Sequence, residues 1–238
     1  MRMTETDTSR LPELETIPKQ RIPLEIATVL SLGVAVLALF LFAWMGDSVS
    51  HERTKNFDLA VRTRIHQYSS PGMTKGMIAV SFLGQGGLAI AAVVTLIVFL
   101  RLRWRRAAVW LVTTIVGALV LDLTLKYAFH RARPAPFFVP LPHTYSFPSG
   151  HALVSFCFYG VLAGLLAGRT RSLFFRILIW VCAALLVTAI GLSRIYLGVH
   201  YPSDVIAGYL AATLWVSTMV ALDRWRKKRK LSLPQNAE

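Results

Sequence analysis

The stretch Leu24–Met45, LEIATVLSLGVAVLALFLFAWM, holds a single charged side chain, Glu25, in 22 residues. As a helix rising 1.5 Å per residue it would extend about 33 Å, one full crossing of a bilayer's hydrocarbon core. No small-residue cleavage site follows a short apolar core, so the run reads as a retained first transmembrane helix and not as an export signal. Five more apolar runs follow at Ala79–Leu100, Ala107–Phe129, His151–Ala167, Ile177–Leu192 and Pro202–Leu222. The predicted fold class is therefore all-α, a polytopic membrane protein with six transmembrane helices. One membrane domain covers residues 24–222. A polar tail at 1–23, rich in charge and proline, is expected to be disordered and cytoplasmic, and residues 223–238 form a basic cytoplasmic tail.

Composition narrows the reading further. The chain has 238 residues, is 55% hydrophobic and carries a formal net charge of +14. Its Lys and Arg residues sit in short clusters between apolar runs and form no single soluble face, so topology explains them better than nucleic acid does. The two cysteines, Cys157 and Cys182, lie inside apolar runs and supply neither a disulfide framework nor a metal-ligand spacing. Between Gly46 and Gly76, Phe57, Val61, Ile65 and Tyr68 recur at helical spacing with Arg62, Arg64 and His66 off the stripe. That pattern predicts an interfacial helix between the first two spans, with a plain solvated connector as the alternative. Gly84, Gly86 and Gly87 suit close helix contact; a phosphate-loop reading lacks its lysine.

Orientation follows from the distribution of basic residues, because cytoplasmic segments carry the excess. The tail before Leu24 has four, Arg101–Arg106 four, Arg169–Arg176 three and Arg224–Lys230 six, which makes 17 on one side against nine on the other. Both termini are then cytoplasmic in a cell inner (plasma) membrane. All six histidines face outward, as do the ends of spans three and five and the starts of spans four and six.

Three groups of reactive side chains collect on that outward face. Lys126 is followed by Arg133-Pro134; Pro148-Ser149-Gly150-His151 opens the fourth span; Ser193-Arg194, His200 and Asp204 link the fifth and sixth. Ionisable residues at membrane depth are costly and imply function. Lys126, Arg133 and Arg194 offer positive charge and multiple donors to a phosphate. Ser149 and Gly150 place unpaired N–H groups at a helix N-terminus, where an anion is favoured. Pro202 suits a first helical position, so Asp204 can reach back to His200 and fix its tautomer. His200 is the expected nucleophile and His151 the general acid, later the base that activates water. Asp122, four residues before Lys126, is placed for an ion pair that could be purely structural. The remaining outward acids, Asp47, Glu52 and Asp58, read as too scattered for a two-metal centre, so fixed cations take the metal's role and no cofactor is expected.

Lys126-x6-Arg133-Pro134, Pro148-Ser149-Gly150-His151 and Ser193-Arg194-x5-His200-x3-Asp204 together resemble the three-part signature of the type 2 phosphatidic acid phosphatase family, with every signature position matched. The resemblance covers roughly residues 24–222 and leaves the tails outside. It implies a lipid-phosphate phosphatase that forms a phosphohistidine at His200, with His151 as acid and Asp204 as relay. It also implies that Lys126, Arg133, Ser149, Gly150 and Arg194 grip the phosphate. Bacterial members act on undecaprenyl pyrophosphate, phosphatidylglycerol phosphate and related lipids, so a membrane lipid phosphate is the expected partner and undecaprenyl pyrophosphate the first substrate. A lipid phosphotransferase using the same histidine fits the motifs equally. A transporter using Asp122 and Lys126 lacks the internal repeat that such folds show, and a soluble haloperoxidase lacks the six spans. His51, His66, His130 and His143 read as interface residues, with His143 within reach of a head group. The Ala135–Phe147 loop, with Phe137, Phe138 and Tyr145, reads either as a shaper of lipid access or as an aromatic belt.

Overall fold

The structure is a computed structural model that describes residues 24–232; the tail expected at 1–23 lies outside the described residues, as does the end of the basic tail. Eight helices follow in order: α1 (Leu24–Ser50), α2 (Lys55–Gln67), α3 (Pro71–Phe82), α4 (Gly86–Arg101), α5 (Arg105–Phe129), α6 (Gly150–Ala167), α7 (Leu173–Tyr196) and α8 (Pro202–Ser232). Among the described residues six stretches are long and apolar enough to cross a membrane, with α3 and α4 together making the second. The described residues contain no strand. The protein is thus an all-α, multi-pass membrane protein, and α2 is the helix expected between the first two spans.

Lipid tails are as apolar as leucine, so helices in a bilayer associate through close packing and not through exclusion from water. The small residues mark where that packing occurs. α6 lies at the centre against α5, α7 and α8, while α1 runs along α8. Ala118, Ala152, Ala207, Ala211 and Ala212 are all within 1% of complete burial. The Trp215 indole covers Gly117 and donates to the Thr114 carbonyl at 3.1 Å, tying α8 to α5. Large apolar side chains such as Val29, Phe40, Val109 and Phe174 point outward instead, as lipid contact requires. At the end of the bundle away from the histidines, Arg224 reaches from α8 to the Ser31 hydroxyl of α1 at 2.6 Å.

Several boundaries depart from the sequence reading. The second span starts at Pro71, not Ala79, because Ser70 caps α3 by accepting from the Met73 N–H at 3.3 Å and Pro71 occupies the first turn. The span is also broken between Phe82 and Gly86. Three glycines weaken the helix there, and the Tyr159 hydroxyl donates to the freed Leu83 carbonyl at 2.9 Å. α7 continues past Leu192 to Tyr196, which puts Ser193 and Arg194 inside the helix. α8 continues past Leu222 to Ser232, so the start of the basic tail is helical. In α2 the stripe residues are unevenly covered by the rest of the protein. Val61 and Ile65 are partly buried, Phe57 and Tyr68 are exposed, and the most buried residues are Asp58 and Arg62.

Gly208 on α8 brings two of the motifs together. A Cβ there would lie 2.7 Å from the Ser149 carbonyl oxygen and 2.9 Å from the Ala152 Cβ, while one on Gly33 of α1 would meet nothing within 4 Å. Gly208→Ala is therefore expected to cost about 1–3 kcal/mol and to lower the thermal unfolding midpoint in detergent, with Gly33→Ala unchanged or slightly stabilised as the matched control.

Candidate active site

The ends of α5, α7 and the connection before α8 meet the start of α6 at one end of the bundle. A cavity of about 430 Å³ opens there, and Lys126, Arg133, Gly150, His151, Arg194 and His200 all line it. Ser149 and Asp204 stand directly behind, both fully buried. The Ser149 N–H donates to the Asp204 carbonyl at 2.9 Å, locking the second motif to the third. All eight residues singled out from the sequence are thus gathered at one place.

His200 is 1% exposed. Its Nδ1 lies 3.3 Å from Asp204 Oδ2, and its Nε2 lies 2.9 Å from an Arg133 Nη1. Arg133 has only protons to give, so Nε2 accepts and Nδ1 carries the hydrogen that Asp204 receives. The imidazole is then neutral, with its Nε2 lone pair on the cavity side and covered at rest by the Arg133 N–H. Burial pushes its pKa down to about 4; the hydrogen bond and charge of Asp204 pull it back up, and Arg133 and Arg194 push it down again. A neutral, oriented imidazole of this kind can attack an electrophilic phosphorus without first losing a proton. His151, at the first turn of α6, makes no side-chain hydrogen bond to the other described residues and presents its ring to the same cavity.

Three buried polar atoms around the cavity have no hydrogen-bond partner among the described residues: Ser149 Oγ, Arg194 Nε and Asp122 Oδ1. The Ser149 hydroxyl and the Arg194 N–H are orphaned donors beside the first-turn N–H groups of α6 and suit an anion, whereas Asp122 Oδ1 is an acceptor and does not add to that signal. Lys126 is held 2.7 Å from Asp122 Oδ2, so the expected ion pair forms and lies in the wall of the cavity. A Cβ on Gly150 would come within 2.8 Å of the Asp122 carboxylate and 2.9 Å of Lys126 Nζ. Glycine is required there for this close approach. Arg133 is fixed by the Thr144 carbonyl at 2.6 Å and the Val199 carbonyl at 2.9 Å. Burial lowers its pKa, and the Asp204 and Asp122 carboxylates oppose that shift.

The site has other members that the sequence did not assign to it. Ser81 of α3 receives an Arg194 N–H, and Gly84 in the helix break leaves the space that the His151 ring and Ile190 occupy. Asp58 needs an outright correction. It is fully buried, 2.8 Å from Arg131, and accepts from the Ser203 N–H and hydroxyl at 2.9 and 2.7 Å. Arg131 in turn donates to Asp204. Far from scattered, Asp58 touches the third motif, because α2 turns its polar face inward. The Ala135–Phe147 loop also packs more tightly than either expectation. Phe137 stacks on His66 with centroids 4.1 Å apart, Phe138 stacks on Tyr196 at 5.4 Å, and Phe147 is fully buried in the bundle core. His51, His130 and His143 stay outside the cavity lining.

Comparisons with known proteins agree with this geometry. The chain is 28% identical over 203 residues to phosphatidylglycerophosphatase B of Bacillus subtilis, covering 81% of this chain and 98% of the relative. It is 33% identical over 147 residues to an undecaprenyl-diphosphatase of Sulfolobus acidocaldarius, covering 59% of this chain and 66% of the relative. The fold superposes on the crystal structure of a transmembrane PAP2-type phosphatidylglycerolphosphate phosphatase from Bacillus subtilis. The TM-score is 0.72 at 21% identity, over 85% of this chain and 98% of that one. The sequence profile of the PAP2 superfamily matches residues 107–228, the segment that carries all three motifs, and the chain belongs to that superfamily.

Proposed function

We propose that this membrane phosphatase hydrolyses a lipid phosphate or pyrophosphate at the outer leaflet through a phosphohistidine at His200, with undecaprenyl pyrophosphate as the first substrate to test. The observation that carries the reading is the pairing of two histidines in one cationic cavity. His200 has its Nε2 lone pair on the cavity side with Asp204 behind it, and His151 faces the same space without a hydrogen-bond partner among the described residues. In the first step Nε2 attacks phosphorus, the P–O bond to the leaving group breaks, and His151 gives its proton to that oxygen. In the second, His151 takes a proton from water, the oxygen attacks phosphorus, the N–P bond breaks, and inorganic phosphate leaves with His200 regenerated. Lys126, Arg133, Arg194, the Ser149 hydroxyl and the Gly150 N–H hold the phosphoryl oxygens throughout.

Access and size favour a lipid. The cavity continues between α4 and α5 along Leu88, Ala89, Ala92, Ile115 and Leu119, an apolar path on which a prenyl or acyl chain can lie while its phosphate meets the cage. A second depression of about 560 Å³ adjoins the first, shares Lys126, Arg133, Pro142 and Thr144 with it, and adds Tyr127, His143 and Tyr145. It leaves room for a second phosphate or a polar head group. The relatives named phosphatidylglycerophosphatase B and undecaprenyl-diphosphatase support both kinds of substrate. The excess of basic residues at the opposite end of the bundle supports cytoplasmic termini and an outward-facing site in the inner (plasma) membrane.

His200→Ala is expected to cut phosphate release by about 10³-fold or more, measured with purified protein across a panel of lipid phosphates and pyrophosphates; full activity in this variant overturns the mechanism. His151→Ala should accumulate acid-labile phosphoenzyme from an aryl phosphate whose leaving group needs no proton, and absence of that species removes His151 as the base of the second step. EDTA should leave the rate unchanged and orthovanadate should inhibit. In the pH profile of kcat/KM, the acid limb should lie below the ordinary histidine value of about 6.5, because His200 must be neutral to attack and burial lowers its pKa.

A further inference from the structure

Behind the His200–Asp204 pair lies a second layer of charge that runs out to the interfacial helix. Asp204 Oδ1 receives Arg131 Nη1 at 2.5 Å, and Oδ2 receives the Tyr201 N–H at 2.9 Å, the Ser146 hydroxyl and His200 Nδ1. The other arm of the Arg131 fork meets Asp58 Oδ2 at 2.8 Å. Ser203 bridges the two by donating to Asp58 and accepting from Arg131 at 2.8 Å. The Tyr201 ring covers the guanidinium at 4.2 Å. Both carboxylates are fully buried. Arg62, one turn after Asp58 on α2, pins the same helix to the Ala135 and Gly198 carbonyls at 2.8 and 3.2 Å.

We propose that Asp58 and Arg131 are positioning residues of the reaction, a carboxylate–guanidinium extension that holds Asp204 and sets the charge His200 experiences. The physical reason is charge balance. Arg131 alone beside Asp204 would cancel the carboxylate that must stabilise the imidazolium-like His200 during transfer. Asp58 restores it, so that the trio of two carboxylates and one guanidinium carries one net negative charge, the same as a lone Asp204 but rigidly held. A carboxylate serving only to anchor α2 would not need to share its cation with the partner of the nucleophile. The other charged or titratable groups facing His200 are Arg133 at Nε2, Arg194 of α7, His151 of α6 and the Lys126–Asp122 pair of α5, with Tyr201 alongside. None of these hydrogen-bonds to Asp58; Arg62 is a further cation that feels the charges of Asp58 and Asp204, and it is kept in place in every variant.

The inference rests on the reading of His200 as nucleophile, and the test separates the two. The measurement is phosphate release from phosphatidic acid in mixed micelles as a function of pH, with thermal midpoints as the check on folding. Asp58→Asn removes a negative charge and should move the acid limb of kcat/KM down by roughly half a pH unit or more, with kcat reduced. Arg131→Gln leaves two carboxylates and should move the limb up. The double variant should bring it back toward wild type. Opposite shifts support the proposal, because loss of packing alone lowers the amount of folded enzyme and leaves the limb in place. An unmoved limb in Asp58→Asn, or a shift of the same sign in both single variants, overturns it. Where either single variant fails to accumulate, Asp58→Glu decides: retained limb with reduced kcat supports positioning, and wild-type kcat overturns it. Activity in His200→Ala would sink the underlying reading instead, whatever the Asp58 variants do.

Discussion

The feature on which the histidine-bearing end of this bundle depends is a carboxylate with no solvent at all. Asp204 is completely buried in the first turn of α8. An ionised carboxylate out of water is so costly that it either finds strong donors or gives up its charge. It finds four, drawn from separate parts of the chain: Arg131 and Ser146 from the connection between α5 and α6, and His200 and the Tyr201 N–H from the turn before α8. The path of the long α5–α6 connection follows from this demand. So does the docking of α2, whose Asp58 is needed to compensate the guanidinium that compensates Asp204.

A bilayer gives helices little reason to associate, since apolar side chains are equally at home against lipid. The bundle is therefore held by close contacts of small residues along its length and by polar staples at its ends. Ala118, Ala207 and Ala211 supply the first. The Asp204 cluster at one end and the Arg224 contacts to α1 at the other supply the second. The polar staple at the histidine-bearing end also surrounds the candidate site, so the groups that tie the helices together also hold the proposed nucleophile. A site assembled from helix ends in this way keeps its N–H donors and cations fixed while the apolar cleft between α4 and α5 remains open to the membrane.

Apolar run lengths revealed the six spans, and the three motifs were legible because each sits where a run stops or starts. Lys126, His151, Arg194 and His200 are polar residues at the edge of lipid, and that expense is visible without coordinates. The residues that were missed share a different property. Asp58 meets its partners 73 and 145 positions away, and Ser81 meets Arg194 at a separation of 113. No period or local spacing encodes such pairs. In α2 the apolar stripe predicted an interfacial helix and carried no information about the opposite face, where buried ionic partners hold Asp58 and Arg62. The break at Gly84 was present as a glycine cluster, but only its packing against His151 and Ile190 shows why the helix must open there.

The charge balance of the resting cavity bears on what it can accept. Lys126 is neutralised by Asp122, and Arg131 by its two carboxylates. Arg133 and Arg194 also point into the cavity, and their described partners are carbonyls, hydroxyls and the His200 ring, with no carboxylate within ion-pair distance. Two guanidinium groups facing each other in a poorly solvated pocket repel, and a doubly charged phosphoryl group relieves that repulsion where a singly charged diester relieves only part of it. Arg133 has a further consequence. In the resting state one of its N–H groups covers Nε2 of His200, the atom proposed to attack. An arriving phosphate offers that N–H a better, charged acceptor, so the ligand that the cavity's charge favours also uncovers the nucleophile.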